Sequence, residues 1–282
     1  MINNIFFSYS KKKVFSPIWY INILWMFIVG CTPYSEEDAF AAVIKSDNGL
    51  MLSEIIDKGV SVNSVNSRGM PLLSWAVVTV SSNSFDILIA EGADVNAGLE
   101  EGLDALNNCF SYNSQAFEEN SVFSLYAARI LVDKGAKISR DYPKEKGNPF
   151  LRACAAGDQK GANLLIRHGA DIYSRLPHNG ATAIMLAAYS QNITLLKQLI
   201  KANSQNITDV DENGQNAAFH AVHGYIQTSE GFNDLKIILH ELKKAGCPLN
   251  TRDNLGHTLC HVFSKYNGKE SGEIMQILNE IE

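Results

Sequence analysis

The sequence predicts an all-α solenoid of stacked helix pairs, with about six full repeats behind an N-terminal half-repeat cap. Two recurring segments and their spacing carry that prediction. The first reads apolar, apolar, x, x, Gly, small, x, apolar, Asn. It occurs as IIDKGVSVN at 55–63, LIAEGADVN at 88–96, LVDKGAKIS at 131–139, LIRHGADIY at 165–173, LIKANSQNI at 199–207 and LKKAGCPLN at 242–250. Its marker positions, Gly59, Gly92, Gly135, Gly169, Asn203 and Gly246, are 33, 43, 34, 34 and 43 residues apart. The second segment, Gly-x-(Thr/Pro)-x-Leu-x-x-Ala, precedes the markers: GMPLLSWA at 69–76, GLDALNNC at 102–109, GNPFLRAC at 147–154 and GATAIMLA at 180–187. Weaker versions are GQNAAFHA at 214–221 and GHTLCHVF at 256–263. A fixed period of this size is the signature of a repeat array.

Each element follows from local chemistry. The Gly-x-Thr/Pro segment opens a short helix, because Thr and Pro suit a helix start. Small residues at its eighth position, Ala76, Cys109, Cys154, Ala187 and Ala221, let neighbouring helices approach closely. The second helix buries pairs such as Leu88-Ile89 and Leu165-Ile166. The marker glycine suits the left-handed residue that ends a helix, and Asn203 is its usual substitute. One repeat cannot bury its apolar face alone, so the stack is the folding unit. Two repeats are long, with the extra residues around Ser111–Ser124 and Gly224–Asn233. These lengthen the interhelix turn or the helices beside it. They are either tolerated drift or a pair of recognition elements three repeats apart.

The N-terminus reads as an address. Lys11, Lys12 and Lys13 precede an apolar stretch from Val14 to Gly30, which ends at Ile28-Val29-Gly30-Cys31. A basic region, a short apolar core and a small residue at the boundary form an export signal. The 17-residue stretch, interrupted by Pro17 and Asn22, is marginal for crossing a core of about 30 Å. An uncut signal anchor is the alternative. The last four residues resemble a bacterial lipobox. That resemblance implies cleavage before Cys31, a diacylglycerol (palmitate-bearing) thioether on Cys31 and, with Thr32 in place of Asp, sorting to the outer membrane. The expected divisions are a signal over 1–30, a tether over 31–35 and the repeats over 36–282, the body lying in the periplasm.

The three lysines are the only charges before Cys31, so removing them takes the net charge from −6 to −9. An acidic body disfavours nucleic acid and anionic lipid surfaces. Membrane contact is therefore expected through the lipid anchor alone. No nucleophile elbow, phosphate loop or dinucleotide fingerprint is present, so neither an enzyme nor a cofactor is expected. His220, His223, His257, His261 and Cys260 have metal-binding chemistry, but their spacing matches no closed zinc motif, and no metal is expected. His168 and His240 read as surface residues of second helices. Cys109 and Cys154 hold equivalent buried positions about 10 Å apart, too far for the roughly 4.4–6.8 Å of a disulfide. Cys247 and Cys260 also read as buried.

The two segments resemble ankyrin repeats, whose consensus is Gly-x-Thr-Pro-Leu-His-x-Ala followed by Leu-Leu-x-x-Gly-Ala-Asp-x-Asn, over about residues 36–282. The resemblance implies a protein-binding concave face. Its positions are Arg68 and Met70, then Glu100, Glu101, Leu103 and Tyr112. Further along they are Glu145, Lys146, Asn148 and Ala156, then His178, Asn179 and Tyr189, then Glu212, Asn213 and His223, and last Leu255, His257 and Tyr266. The resemblance also gives His261 a structural hydrogen bond. Acids for steering and aromatics for contact energy suit a protein interface.

Lipobox, acidic body and ankyrin stack together resemble periplasmic immunity lipoproteins that neutralise phospholipase effectors delivered by type VI secretion. The alternative is a scaffold or chaperone for a resident periplasmic enzyme. Initiation at Met26 or Met51 would leave a cytosolic form, compatible with unpaired thiols.

Overall fold

The computed structural model describes residues 34–98, 102–110, 117–138, 147–228 and 231–266. Cys31, Glu100, Glu101, Tyr112, Glu145 and Lys146 lie outside them, as does the side chain of Tyr266. Among the described residues the chain is helical, with two isolated β-bridges, Val65 to Pro71 and Arg175 to Thr182. In order the helices are α1 (Glu36–Ser46), α2 (Gly49–Asp57), α3 (Leu72–Val78), α4 (Ser82–Ala90), α5 (Ala105–Cys109), α6 (Phe117–Asp133) and α7 (Pro149–Ala155). They continue as α8 (Gln159–Arg167), α9 (Ala183–Tyr189), α10 (Ile193–Ala202), α11 (Ala217–Thr228), α12 (Phe232–Lys244) and α13 (Leu259–Tyr266). Odd-numbered inner helices pack on one another in sequence, and the even-numbered outer helices form a second layer behind them.

The cap expected as a half repeat carries both of its helices. Ser35 starts α1 with a capping box, its Oγ accepting from the Asp38 N–H while Asp38 accepts from the Ser35 N–H. Asn48 caps α2, Asn148 caps α7, Thr182 caps α9 and Asn192 caps α10. Each side-chain cap contributes about 1 kcal/mol by satisfying a helix-start N–H. Pro149 sits at the first position of α7, where its missing N–H costs nothing. The eighth-position residues Ala76, Cys109, Cys154, Ala187 and Ala221 are all buried where inner helices meet. In the outer helices Leu88 and Leu165 are fully buried, while Ile89 and Ile166 are half-buried at the edge of the same core.

The marker glycines have left-handed φ, from 78° at Gly92 to 101° at Gly59. Asn203 does not, with φ −143° and ψ 59°. Here the chain runs straight from α10 into a 3₁₀ turn, Ser204–Thr208, which buries Ile207. The Asn203 side chain is itself buried and donates to the Ile172 carbonyl at 3.5 Å. It serves as a link to the preceding repeat, so no left-handed cap is needed.

Both surplus segments lengthen helices. The outer helix α6 has 17 residues against 9 in α8. The inner helix α11 has 12 against 7 in α9, and α12 has 13.

Candidate functional site

Finger-like turns join one helix pair to the next, and one acceptor side chain closes each of the best-defined ones. Asn66 donates its N–H to the Met70 carbonyl, and its Oδ1 accepts from the N–H groups of Arg68 and Met70 at 2.9 and 3.0 Å. Asp211 repeats the arrangement with Asn213 and Gln215, both at 2.9 Å. Asp253 does so with Leu255 and His257, at 3.0 and 2.8 Å. A glycine three residues after each acceptor, Gly69, Gly214 or Gly256, has φ between 75° and 82°. An L side chain there would be strained, which is why the motif reads Asx-x-x-Gly.

The last three fingers are tied into one rail. The Glu212 N–H donates to the Asn179 carbonyl at 2.8 Å, and the Asn254 N–H donates to the Asn213 carbonyl at 2.9 Å. Asn254 Nδ2 also donates to the Glu212 carbonyl at 2.8 Å. The Arg175 guanidinium pairs with Asp209 and donates to the Gly180 carbonyl. Such cross-links hold finger tips in fixed register, so their side chains form one surface.

Arg68, His178 and Glu212 stand exposed at tips, and Met70 and Leu103 are half-buried beside them. Tyr189 ends α9 and is half-buried, while its carbonyl oxygen lies against Gly224 of α11. His223 and His257 are half-buried on the inner side of the last two repeats. Of the positions named by resemblance, the structure therefore brings His178, Glu212, Leu255 and His257 onto the linked rail. Arg68 and Met70 sit on a separate first finger.

Two features of this face were not read from the sequence. Val65 and Val210 are about half exposed, and each immediately precedes a turn-closing acceptor. Tyr173 is 53% exposed as well, and Leu255, already named by resemblance, is 80% exposed. Apolar-Asx-x-x-Gly in the sequence marks the two valines.

The second feature is a histidine–carboxylate pattern. His220 Nε2 lies 3.3 Å from Asp211 Oδ2, and His257 Nδ1 lies 3.3 Å from Asp253 Oδ2. Burial works against ionisation of Asp211, but His220 and the N–H groups of Gln215 and Asn213 outweigh it and hold the carboxyl below its ordinary value. At Asp253 burial is likewise outweighed, by the His257 N–H, the Gln215 side chain and the Leu255 N–H. Burial, reinforced by His220, depresses His223. His261 is exposed, and its ring stacks on His257 at 4.3 Å between centroids. The hydrogen bonds seen at His261 are through its backbone, whose N–H donates to Thr258 Oγ1 and whose carbonyl accepts from Ser264, while the neighbouring His257 ring lies against Asp253. Among the described residues no group of three or more His, Cys, Asp or Glu side chains is placed to hold a metal ion.

Cys109, Cys154, Cys247 and Cys260 are unpaired thiols. Burial raises Cys109 and Cys154 far above the ordinary thiol range, and raises Cys247 to about 11. Cys260, expected to be buried, is only half-buried among the described residues, at the second position of α13. His168 and His240 are exposed on outer helices.

Residues 150–232 match the family model for ankyrin repeats, in three copies. The crystal structure of the human ASB11 ankyrin repeat domain superposes with a TM-score of 0.66, at 20% identity, covering 88% of this chain and 98% of that domain. A probable serine/threonine-protein kinase of Dictyostelium discoideum is 29% identical over 133 residues, or 47% of this chain. The match spans 13% of that protein's length. The fold is an ankyrin-repeat solenoid. Such stacks are typically non-enzymatic scaffolds that mediate protein–protein interaction through extended concave surfaces.

Proposed function

We propose that this chain is a membrane-anchored binding protein, lipidated on Cys31 at the outer membrane. We further propose that it binds and neutralises a type VI secretion phospholipase effector in the periplasm, as an immunity protein. The observation that supports binding is the rail of linked finger tips carrying His178, Glu212, Leu255 and His257. Its mix of exposed apolar, acidic and imidazole groups is that of a protein interface. Support for the membrane address is the lipobox-like Ile28-Val29-Gly30-Cys31, and support for the effector class is resemblance. Anchoring raises the effective concentration of the binder where an incoming lipase acts. A short cytosolic form started at Met26 or Met51 would meet a partner before export.

The test is capture of partners on the full-length tagged chain, extracted from membranes, together with survival under attack by a candidate phospholipase encoded beside it. Protection and a stoichiometric complex are expected. Both should be lost in the triple variant His178→Ala, Glu212→Lys, Leu255→Asp with its helical circular dichroism intact. Capture of a resident periplasmic enzyme, with no protection, would replace immunity by the scaffold role. Cys31→Ser should release the protein from membranes, and unchanged detergent-dependent extraction would defeat lipidation.

A further inference from the structure

The first side chain of the described fold is already docked. Tyr34 Oη lies 3.5 Å from Glu54 Oε1, and Lys58 Nζ sits 4.8 Å over the Tyr34 ring. Lys58 and Glu54 are paired at 2.7 Å, and the Tyr34 ring also packs on the core. Ser35 then enters the capping box of α1. The chain is therefore fastened to the N-terminal cap from residue 34 onward, three residues after Cys31. Three residues reach at most about 11 Å. If the signal is instead an uncut anchor ending at Gly30, the distance to Tyr34 is nearly the same.

A leash this short leaves the cap little freedom to stand off a bilayer. The outward face of α2 continues from Lys58 and Glu54 to Leu50, four residues before Glu54 and on the same side of the helix. Leu50 is 87% exposed and its neighbour Met51 is 37% exposed, although Leu52 and Ile55 of the same helix are fully buried. From Lys58 back to Leu50 is about 12 Å along the helix. Charge does not recruit this face, since Glu54 is matched by Lys58 and the helix adds the further acid Asp57. The leash does.

We infer that the cap is a membrane-contact surface, on which Tyr34, Leu50 and Met51 rest against the lipid interface beside the anchor. This rests on the anchoring part of the proposed function and extends the contact beyond the anchor itself.

The experiment uses the full-length mature lipoprotein reconstituted in phosphatidylcholine vesicles containing doxyl-labelled lipid. A fluorophore is placed on Leu50→Cys or, as a distal control of similar exposure, on Leu255→Cys, both in a Cys260→Ser background. Quenching at position 50 should exceed that at position 255 several-fold. Inserting about ten Gly/Ser residues between Pro33 and Tyr34, which adds roughly 17 Å of reach, should bring position 50 down to the distal level while the protein stays on the vesicle. Equal quenching at 50 and 255 on vesicle-bound, Cys31-lipidated protein overturns the inference alone. Absence of lipid on Cys31 by mass, with no vesicle association, overturns both the inference and the anchoring.

Discussion

In the repeat over 105–133 the inner helix stops after 5 residues and the outer helix runs for 17, whereas in the repeat over 217–244 the two helices run for 12 and 13. Both repeats have marker intervals of 43 residues. In the first, Asn107 and Asn108 are poor helix formers, and the capping residue Phe110 is fully buried with its ring against Gly161 of α8. The longer α6 leans back toward the preceding repeat. Phe123 and Tyr126 meet Phe85 edge-on at 5.7 and 6.3 Å, and Tyr126 donates to Asp86 at 2.7 Å. In the second, the alanine-rich start of α11 continues past His223. Tyr225 and Phe232 lean forward onto Phe263 of the next repeat, at 5.7 and 6.4 Å. Equal surplus length thus packs on opposite neighbours, in each case against an aromatic ring.

The largest test of this contrast removes those rings. Phe85→Ala and Phe263→Ala, both at fully buried sites, should each cost about 3–5 kcal/mol in urea unfolding. Amide exchange should then separate them, with protection lost over α4–α6 in the first and over α11–α13 in the second. Loss over the same helices in both variants would erase the contrast.

The next test exploits Gly224, which has no counterpart in the short α5. Gly to Ala inside a helix ordinarily gains about 1 kcal/mol. A Cβ at 224 would lie 1.9 Å from the Tyr189 carbonyl oxygen, so the inner helices must part. Gly224→Ala should instead lose about 1–3 kcal/mol, and a raised urea midpoint would show that α9 and α11 are not in close contact.

Acid should divide the two repeats more gently. The pKa of His223 is depressed in the fold, so its contribution is present above the unfolded value of about 6.5 and is lost as pH falls through the folded value. Asp211 and Asp253 are depressed too, and theirs is lost only below about pH 3.9. The segment 102–138 contains no histidine. Going from about pH 7.5 to about pH 5 should therefore lower amide protection in α11 and leave α5 and α6 unchanged. A uniform loss along the chain would refute this assignment.

The smallest effect belongs to Tyr126→Phe. Its hydroxyl bond to Asp86 is exposed, so removal should cost about 0.5 kcal/mol, the low end for a hydrogen bond. A loss as large as that of Phe85→Ala would mean that the hydroxyl, and not the ring, turns α6 backward.

Much of the architecture is legible without coordinates. The glycines at 59, 92, 135, 169 and 246 announce helix ends, and all five have left-handed φ. The small residues at 76, 109, 154, 187 and 221 announce the inner-helix contacts, and all are buried. Less of the candidate site is legible. His178, Glu212 and His257 come from the family pattern, whereas the exposure of Val65 and Val210 and the pairing of His220 with Asp211 do not. Asn203 misleads, because its side chain serves the preceding repeat.

What the sequence determines by itself is set by interactions spanning a few residues: a left-handed φ that favours glycine, a cap that bonds three residues on, an Asx side chain closing a turn over four. What tertiary structure decides spans 30–42 residues of chain. Gln191 donates to the Ala221 carbonyl, Tyr126 reaches Asp86, and Asn254 donates to the Glu212 carbonyl. Such contacts form only once a neighbouring repeat is in place. A repeat's own residues therefore specify its helices and its turn, while the direction in which a long helix leans, and which finger tips lock into a common face, depend on the repeat stacked beside it.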